Sequence, residues 1–362
     1  MTTINSELII DGSLLRENIS YLKNKIQNKS KFMAVIKSDA YGHNIKKVVK
    51  DIDDLVDGYG VVRMEEAKKI RTLSNKKVLL MQGIYSKDEF LESKKNDLDI
   101  VIHNYDQFNI VKDSDNFENM WFKVNTGMNR LGFEINDFFK IYELSLKNKK
   151  FTLMSHLAAS NEKDEISNRN QFDIFENLSK KINHSVIKSI ANTGCVMNFP
   201  DHLYDWVRCG IGIYGGYFKD EKIRTAMTLR SPIVNIRNIK KNDRVGYDGR
   251  AVAEKNMTIA TVYLGYADGL PLNIKDGTPV MINNQLGKVF GRVSMDLTTI
   301  DISEIESCAE GDWCNFFSKD LPVSEIAKSN DLISYYFMTN IKSRVKKTVS
   351  YTHLTLPTKA SV

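Results

Sequence analysis

Lys37 stands at the end of the apolar run FMAVIK (32–37), and its amine is a group that condenses with carbonyl compounds. Further polar residues fall at the ends of later apolar runs. Lys123 and Arg130 bracket a Thr-Gly-Met turn after MWFKV, and His156 lies near the end of FTLMSHL. Asn192 and Thr193 follow VIKSIA, and Arg208 lies within WVRCGIGIYG. Taken singly, each has a plain structural reading: a lysine ending a strand is commonly a surface residue, and a lone histidine beside an apolar run is commonly a hydrogen-bonded core residue. Converging on one face they describe a site: a lysine amine among cations, with helix N-termini after the strands. Such a site suits a carbonyl cofactor that carries a phosphate, because helix N-termini offer free N–H groups to anions. There is no GxGxxG before a helix, no Walker loop, no GxSxG elbow and no carboxylate cluster at metal-ligand spacing. No metal is expected.

The elements that must position these residues are short. Eight apolar runs of strand length occur at 32–37, 59–62, 78–81, 98–102, 120–124, 151–157, 186–191 and 206–215. Charged stretches of helical spacing, such as EEAKKIRTL and KDEFLESKK, separate most of them. That alternation predicts parallel strands with crossover helices, and eight units over residues 12–225 fit a (β/α)8 TIM-type barrel. A doubly wound open sheet is the alternative. After Pro232 the runs MTIATVYLG, TPVMIN, KVFGRVSM and LTTIDI follow one another with turn residues between, which predicts a mainly β second domain over 226–347. A short helical segment is expected near 323–341, and the early strand 6–11 is expected to join the β domain.

The chain has 362 residues, enough for a large domain and a smaller one. No apolar run approaches the ~20 residues of a membrane span, so no membrane partner is expected. MTTINSELIIDGSLL lacks the charged start and apolar core of a signal peptide, so cytoplasmic residence is the expectation. Cys195, Cys209, Cys308 and Cys314 form no CxxC pair and read as free thiols. The net charge of +6 raises the question of nucleic acid. Its lysines are scattered along helical stretches such as YLKNKIQNKSK without a basic-aromatic ladder, so they read as solvated helix faces.

At this point several blocks become recognisable. AVIKSDAYGHN (34–44) resembles the pyridoxal-phosphate lysine motif of bacterial alanine racemases, KVNTGMNRLGF (123–133) their arginine motif, and SHLAAS (155–160) their histidine motif. WVRCGIGIYG, LGYADGLP (264–271) and GRVSMDLTTID (291–301) resemble further blocks in the same order, over roughly residues 5–347. The resemblance implies a homodimeric enzyme that interconverts L- and D-alanine with pyridoxal 5'-phosphate, supplying D-alanine for peptidoglycan. It implies that Lys37 holds the cofactor as a Schiff base and acts as one base, with Tyr266 as the opposed base. Tyr41, Asn192, Thr193 and the backbone at Gly210 and Ile211 are implied to bind the cofactor, most of them at its phosphate, Arg208 to donate to its ring nitrogen, and His156 to link Arg208 to Tyr266. Arg130, Met295 and Tyr335 are implied to line the substrate pocket, and Lys123 matches a lysine that is carbamylated in many members. Tyr266 and Met295 are implied to come from the partner subunit. Thr193 stands where serine is usual and Asn125 where aspartate is common; the basic residue usual after Pro271 is lacking; and Tyr336 stands where glutamate often follows the pocket tyrosine.

A racemase of serine or lysine, a decarboxylase of the same barrel type and a non-enzymatic pyridoxal-phosphate carrier are the competing readings. Arg208 argues against the decarboxylases, which place a carboxylate at the ring nitrogen, and the β domain argues against the carriers. Past the last family block, 348–362 is expected to be an unpacked, dispensable tail.

Overall fold

The computed structural model describes residues 5–350. The chain divides into two compact units, one formed by Ile19–Ile213 and the other by the residues through Asn18 together with those from Tyr214 onward. The first strand, β1 (Glu7–Asp11), belongs to the second of these.

The unit 19–213 is an eight-stranded parallel barrel. Its strands are β2 (Lys31–Val35), β3 (Gly58–Val61), β4 (Lys77–Leu80), β5 (Asp99–Ile102), β6 (Met120–Lys123), β7 (Thr152–Met154), β8 (Ile187–Ser189) and β9 (Trp206–Cys209). They run in the order β8-β7-β6-β5-β4-β3-β2-β9. The ring closes where Asp205 N–H donates to Lys188 O at 3.1 Å and Arg208 N–H to Ala191 O at 2.9 Å. All eight expected runs contain a strand, and the open-sheet alternative is excluded by that closure. The helices cover the barrel with one apolar stripe each. In Ile45–Ile52, Ile45, Val48, Val49 and Ile52 are buried at helical spacing, while Lys46 and Lys50 are exposed.

Inside the barrel, Met33, Leu79, Val101, Trp121, Met154 and Trp206 form an apolar plug. Side chains alternate along a strand, so residues two positions on share the same face. The next layer toward the C-terminal ends is therefore Val35, Met81, His103, Lys123, His156 and Arg208. The apolar layer makes a floor, and the polar layer stands on it.

One segment departs from the expectation that Lys37 closes a strand. The strand stops at Val35, and Lys37 opens a left-handed helical turn in which Ser38, Asp39, Ala40 and Tyr41 have φ of 56, 53, 56 and 53°. Such backbone costs roughly 1–2 kcal/mol per non-glycine residue. The turn is held by Ala40 N–H to Ile36 O at 2.9 Å, Gly42 N–H to Ser38 O at 3.0 Å and Ile45 N–H to the Asp39 carboxylate at 2.9 Å. Its outer edge is tied to the helix Met64–Arg71, which follows β3, by Asp39 N–H donating to Glu66 Oε1 at 3.2 Å.

In the other unit the strands are β1, β10 (Met227–Ile239), β11 (Arg244–Val245), β12 (Ala251–Val252), β13 (Met257–Val262), β14 (Pro279–Ile282), β15 (Gln285–Val289), β16 (Thr298–Asp301), β17 (Trp313–Phe317) and β18 (Lys346–Ser350). The main sheet runs β13-β16-β15-β14-β17-β10-β1-β18, and the long β10 also pairs with β13, which rolls six of the strands into a ring. Helices Val323–Ser329 and Ser334–Asn340 follow β17. The expected unpacked tail from residue 348 is corrected at its start. Thr348, Val349 and Ser350 pair in parallel with Ile9, Ile10 and Asp11, because the edge of β1 offers them a ladder. The rest of that expectation falls on 351–362, outside the described residues. Among the described residues no helix is long and apolar enough to cross a membrane, and no group of His, Cys, Asp and Glu is arranged to hold a metal ion.

Candidate active site

Arg208 is only 2% exposed although it carries a guanidinium. β9 aims it across the interior. One terminal nitrogen donates to Ser189 Oγ, and the other to Ser155 O at 2.7 Å and to His156 Nδ1 at 3.3 Å. Burial lowers its pKa to about 10, so the group stays cationic near neutrality. Because that cation donates to Nδ1, His156 uses this nitrogen as an acceptor and keeps its proton on Nε2. Burial first, then the charges of Arg208, Lys123, Arg130 and Lys37, hold its pKa well below the usual value. The imidazole is neutral and aligned.

Lys123 belongs to the same layer on β6, is buried, and its pKa falls to about 8 through burial and then through Arg208, Arg130 and Lys37. Lys37, half-buried at the head of the left-handed turn, is also lowered, by burial first and then by Arg130, with Glu66 opposing. Arg130 itself is exposed, in the turn after β6. Four cations thus act on one another within this end of the barrel.

Beside them, Asn192 caps the short helix Thr193–Asn198 by accepting from Cys195 N–H at 3.1 Å, and also takes the Ser160 hydroxyl at 2.6 Å. Thr193 Oγ1 accepts from Gly210 N–H at 3.3 Å. A Cβ on Gly210 would stand 2.6 Å from Tyr41 Oη, and one on Gly212 would stand 2.6 Å from Thr193 Cγ2. The Gly210-Ile211-Gly212 backbone and two hydroxyl side chains therefore form a cradle that a larger residue would fill.

These features fit the cofactor that the sequence resemblance implies. The Nε of Arg208 is buried and has no hydrogen-bond partner, so it has one donor to offer a ring nitrogen. The cations and the hydroxyl-lined cradle suit a phosphate. Lys37 has the lowered pKa that a nucleophilic amine needs.

Tyr266, Met295 and Tyr335 lie in the other unit, at 38, 53 and 39% exposure. The turn bearing Tyr266 is joined to the loop bearing Met295 by Tyr266 N–H to Ser294 O at 3.1 Å and Ala267 N–H to Met295 O at 2.9 Å. Gly265 allows this approach, since a Cβ there would lie 2.3 Å from Met295 O. The Arg344 guanidinium bonds Asp268 at 2.9 Å and Asp296 at 2.8 Å, tying both loops to the segment after the helix that carries Tyr335.

Sequence reasoning missed Ser189, His103 and Arg344. Ser189 is a buried serine within the apolar run VIKSIA, a signal a sequence carries, whereas His103 is placed beside Lys123 by a count of two from the plug, which only the structure shows. Arg344 carries no such signal, because its partners are distant in the chain.

Residues 10–218 match the alanine racemase N-terminal domain and residues 226–349 the alanine racemase C-terminal domain. The chain is 35% identical over 343 residues to the alanine racemase of Vesicomyosocius okutanii, covering 93% of this chain and 96% of that protein. Its structure resembles the biosynthetic alanine racemase of Pseudomonas aeruginosa, with a TM-score of 0.90, 28% identity and coverage of 96% of this chain and 100% of that one. The alanine racemase of Bartonella henselae, solved with covalently bound pyridoxal phosphate, shares the fold at a TM-score of 0.87 and 21% identity, over 96% of this chain and 100% of that one. The two family domains together account for most of this chain. The chain belongs to the alanine racemase family.

Proposed function

We propose that this protein interconverts L- and D-alanine with pyridoxal 5'-phosphate bound at the barrel mouth. The observation that carries the reading is the buried Arg208, cationic and with its Nε free to donate, in one layer with a neutral His156 and the low-pKa Lys123. Lys37 would hold the cofactor covalently. Tyr41, Thr193 and the backbone at Gly210 and Ile211 would hold its phosphate end, Asn192 would contribute to the same cofactor site, and Arg208 would hold its ring nitrogen. When bound, the cofactor supplies an electron-withdrawing ring that makes the substrate's Cα–H acidic.

The chain's own residues do the rest. Lys37, whose amine is neutral at lower pH than an ordinary lysine, takes or returns the proton on one face of Cα. Racemisation needs a second group on the opposite face, and Tyr266 is that group. With Tyr266 brought to the barrel mouth, the neutral His156, oriented by Arg208, would donate to its oxygen through Nε2–H. Arg130 would hold the substrate carboxylate, with Met295 and Tyr335 at the pocket wall. Lys123 in its carbamylated form would present a carboxylate to Arg130. Tyr266 and Met295 would reach the barrel mouth from the partner subunit of a homodimer, and the protein would work in the cytoplasm.

The test is to incubate the purified, cofactor-loaded protein separately with L-alanine, L-serine and L-lysine and to measure the D-product. Alanine should turn over fastest. Faster turnover of serine or lysine would overturn the substrate assignment.

A further inference from the structure

We infer that His103 is a positioning residue for Lys123, accepting through Nε2 the N–H that remains when Lys123 is carbamylated, and so holding the new carboxylate toward Arg130. The inference rests on the reading of Lys123 given above and adds a residue to it. β5 and β6 are parallel neighbours with Ile102 level with Phe122, so the next residues along, His103 and Lys123, are level with each other. Both lie two positions beyond plug residues, Val101 and Trp121, and so face the barrel interior.

His103 is 6% exposed, and its Nε2 is buried without a hydrogen-bond partner. An unsatisfied buried acceptor is costly unless a donor arrives. Its position is fixed from behind. His103 N–H donates to Gln107 Oε1 at 2.9 Å, and Gln107 Nε2 donates to Gln82 O at 2.8 Å. The carbonyls of His103 and Gln82 favour a proton on the ring, while burial and the charge of Lys123 outweigh them and lower its pKa. A neutral ring with its proton on the side of those carbonyls leaves the buried Nε2 as an acceptor, with Lys123 level with it on the neighbouring strand.

The modification is chemically balanced. The neutral Lys123 amine adds to the carbon of dissolved CO2, a C–O π pair moves onto oxygen, and the nitrogen releases one proton to solvent. The product keeps one N–H and gains a carboxylate. Three cations, Arg208, Arg130 and Lys37, already act on this position, so a negative charge there is favoured. Of the groups around it, Nε2 of His103 is suited to take the N–H, because the cations can only donate.

The experiment is 13C NMR of the cofactor-loaded protein titrated with 13C-bicarbonate at fixed pH, reading the carbamate carbon, with Lys123→Ala to assign it. His103→Ala should raise the bicarbonate needed for half-occupancy by about tenfold, the effect of losing one hydrogen bond to a charged group. His103→Asn, whose amide oxygen can accept, should recover part of that affinity, and thermal melts of both variants check folding. An unchanged half-point in His103→Ala overturns the role of His103, as does failure of asparagine to recover any affinity. A parent protein with no carbamate signal overturns the reading of Lys123 itself, a distinguishable failure.

Discussion

Burial and charge conflict most directly at Lys123. Its pKa is about 8 in the folded chain against 10.5 for an ordinary lysine, so between those values the unfolded chain binds the extra proton. Folding stability therefore rises with pH across that window, and below about pH 8 the buried ammonium is a net cost. Lys123→Met should stabilise the cofactor-free protein in CO2-free buffer by about 2 kcal/mol at pH 7, and the gain should shrink toward pH 10.5. Urea unfolding of both proteins at the two pH values measures this; a gain that does not change with pH would show that burial does not shift the lysine. Lys37 is tested by covalency. Borohydride reduction of the cofactor-loaded protein should leave the label on the peptide that contains Lys37, Lys37→Ala should take up none, and a label on any other lysine would remove Lys37 from its role. Lys37, Lys123, His156 and Arg208 could be read from the sequence because each is a polar residue at or near the end of an apolar run. His103 was passed over because one histidine after LDIVI looks like a strand end; only the plug, seen in three dimensions, supplies the count of two that places it.

At the scale of elements, the left-handed turn after Lys37 was not legible. Ser, Asp, Ala and Tyr carry no common preference for positive φ, and bonds to Ile36, Ile45 and Glu66 impose it. Ser38 is exposed with φ of 56°, so it tests the strain without disturbing packing. Ser38→Gly should be neutral or stabilising by up to about 1 kcal/mol, whereas Ser38→Val should destabilise by more than that, read from denaturant midpoints. Equal effects of the two would argue that the turn is not left-handed. The strands were easier, because parallel strands buried on both faces are written as unbroken apolar runs. In the β unit, Arg344 ties the Tyr266 turn to the Met295 loop through partially exposed ion pairs, which contribute little to global stability. Arg344→Ala should therefore barely move Tm while hydrogen exchange at the Tyr266 and Ala267 amides accelerates, and Arg344→Lys should do less. Unchanged exchange at those amides would show that the two loops hold each other without it.

For the whole molecule, the residues proposed to do the chemistry fall in two compact units. Lys37, Arg130, His156 and Arg208 belong to the barrel, and Tyr266 and Met295 to the β unit. The alternation of apolar runs with helical stretches, and then runs with only turn residues between them, made the barrel and the following β region readable. It could not reveal how β10 serves β1, β13 and β17 at once, since that depends on a 13-residue strand bending at the irregularity between Ile233 and Asn235. The central claim is that two opposed bases, Lys37 and Tyr266, act on one Cα from different subunits. Lys37→Ala and Tyr266→Ala homodimers should each be inactive in racemisation. Mixed dimers formed by refolding the two together, and verified by differential tagging, should regain activity at one of their two sites, since one site then has both bases. If verified mixed dimers stay as inactive as the parents, Tyr266 does not act across the interface and the two-base account in this form is wrong.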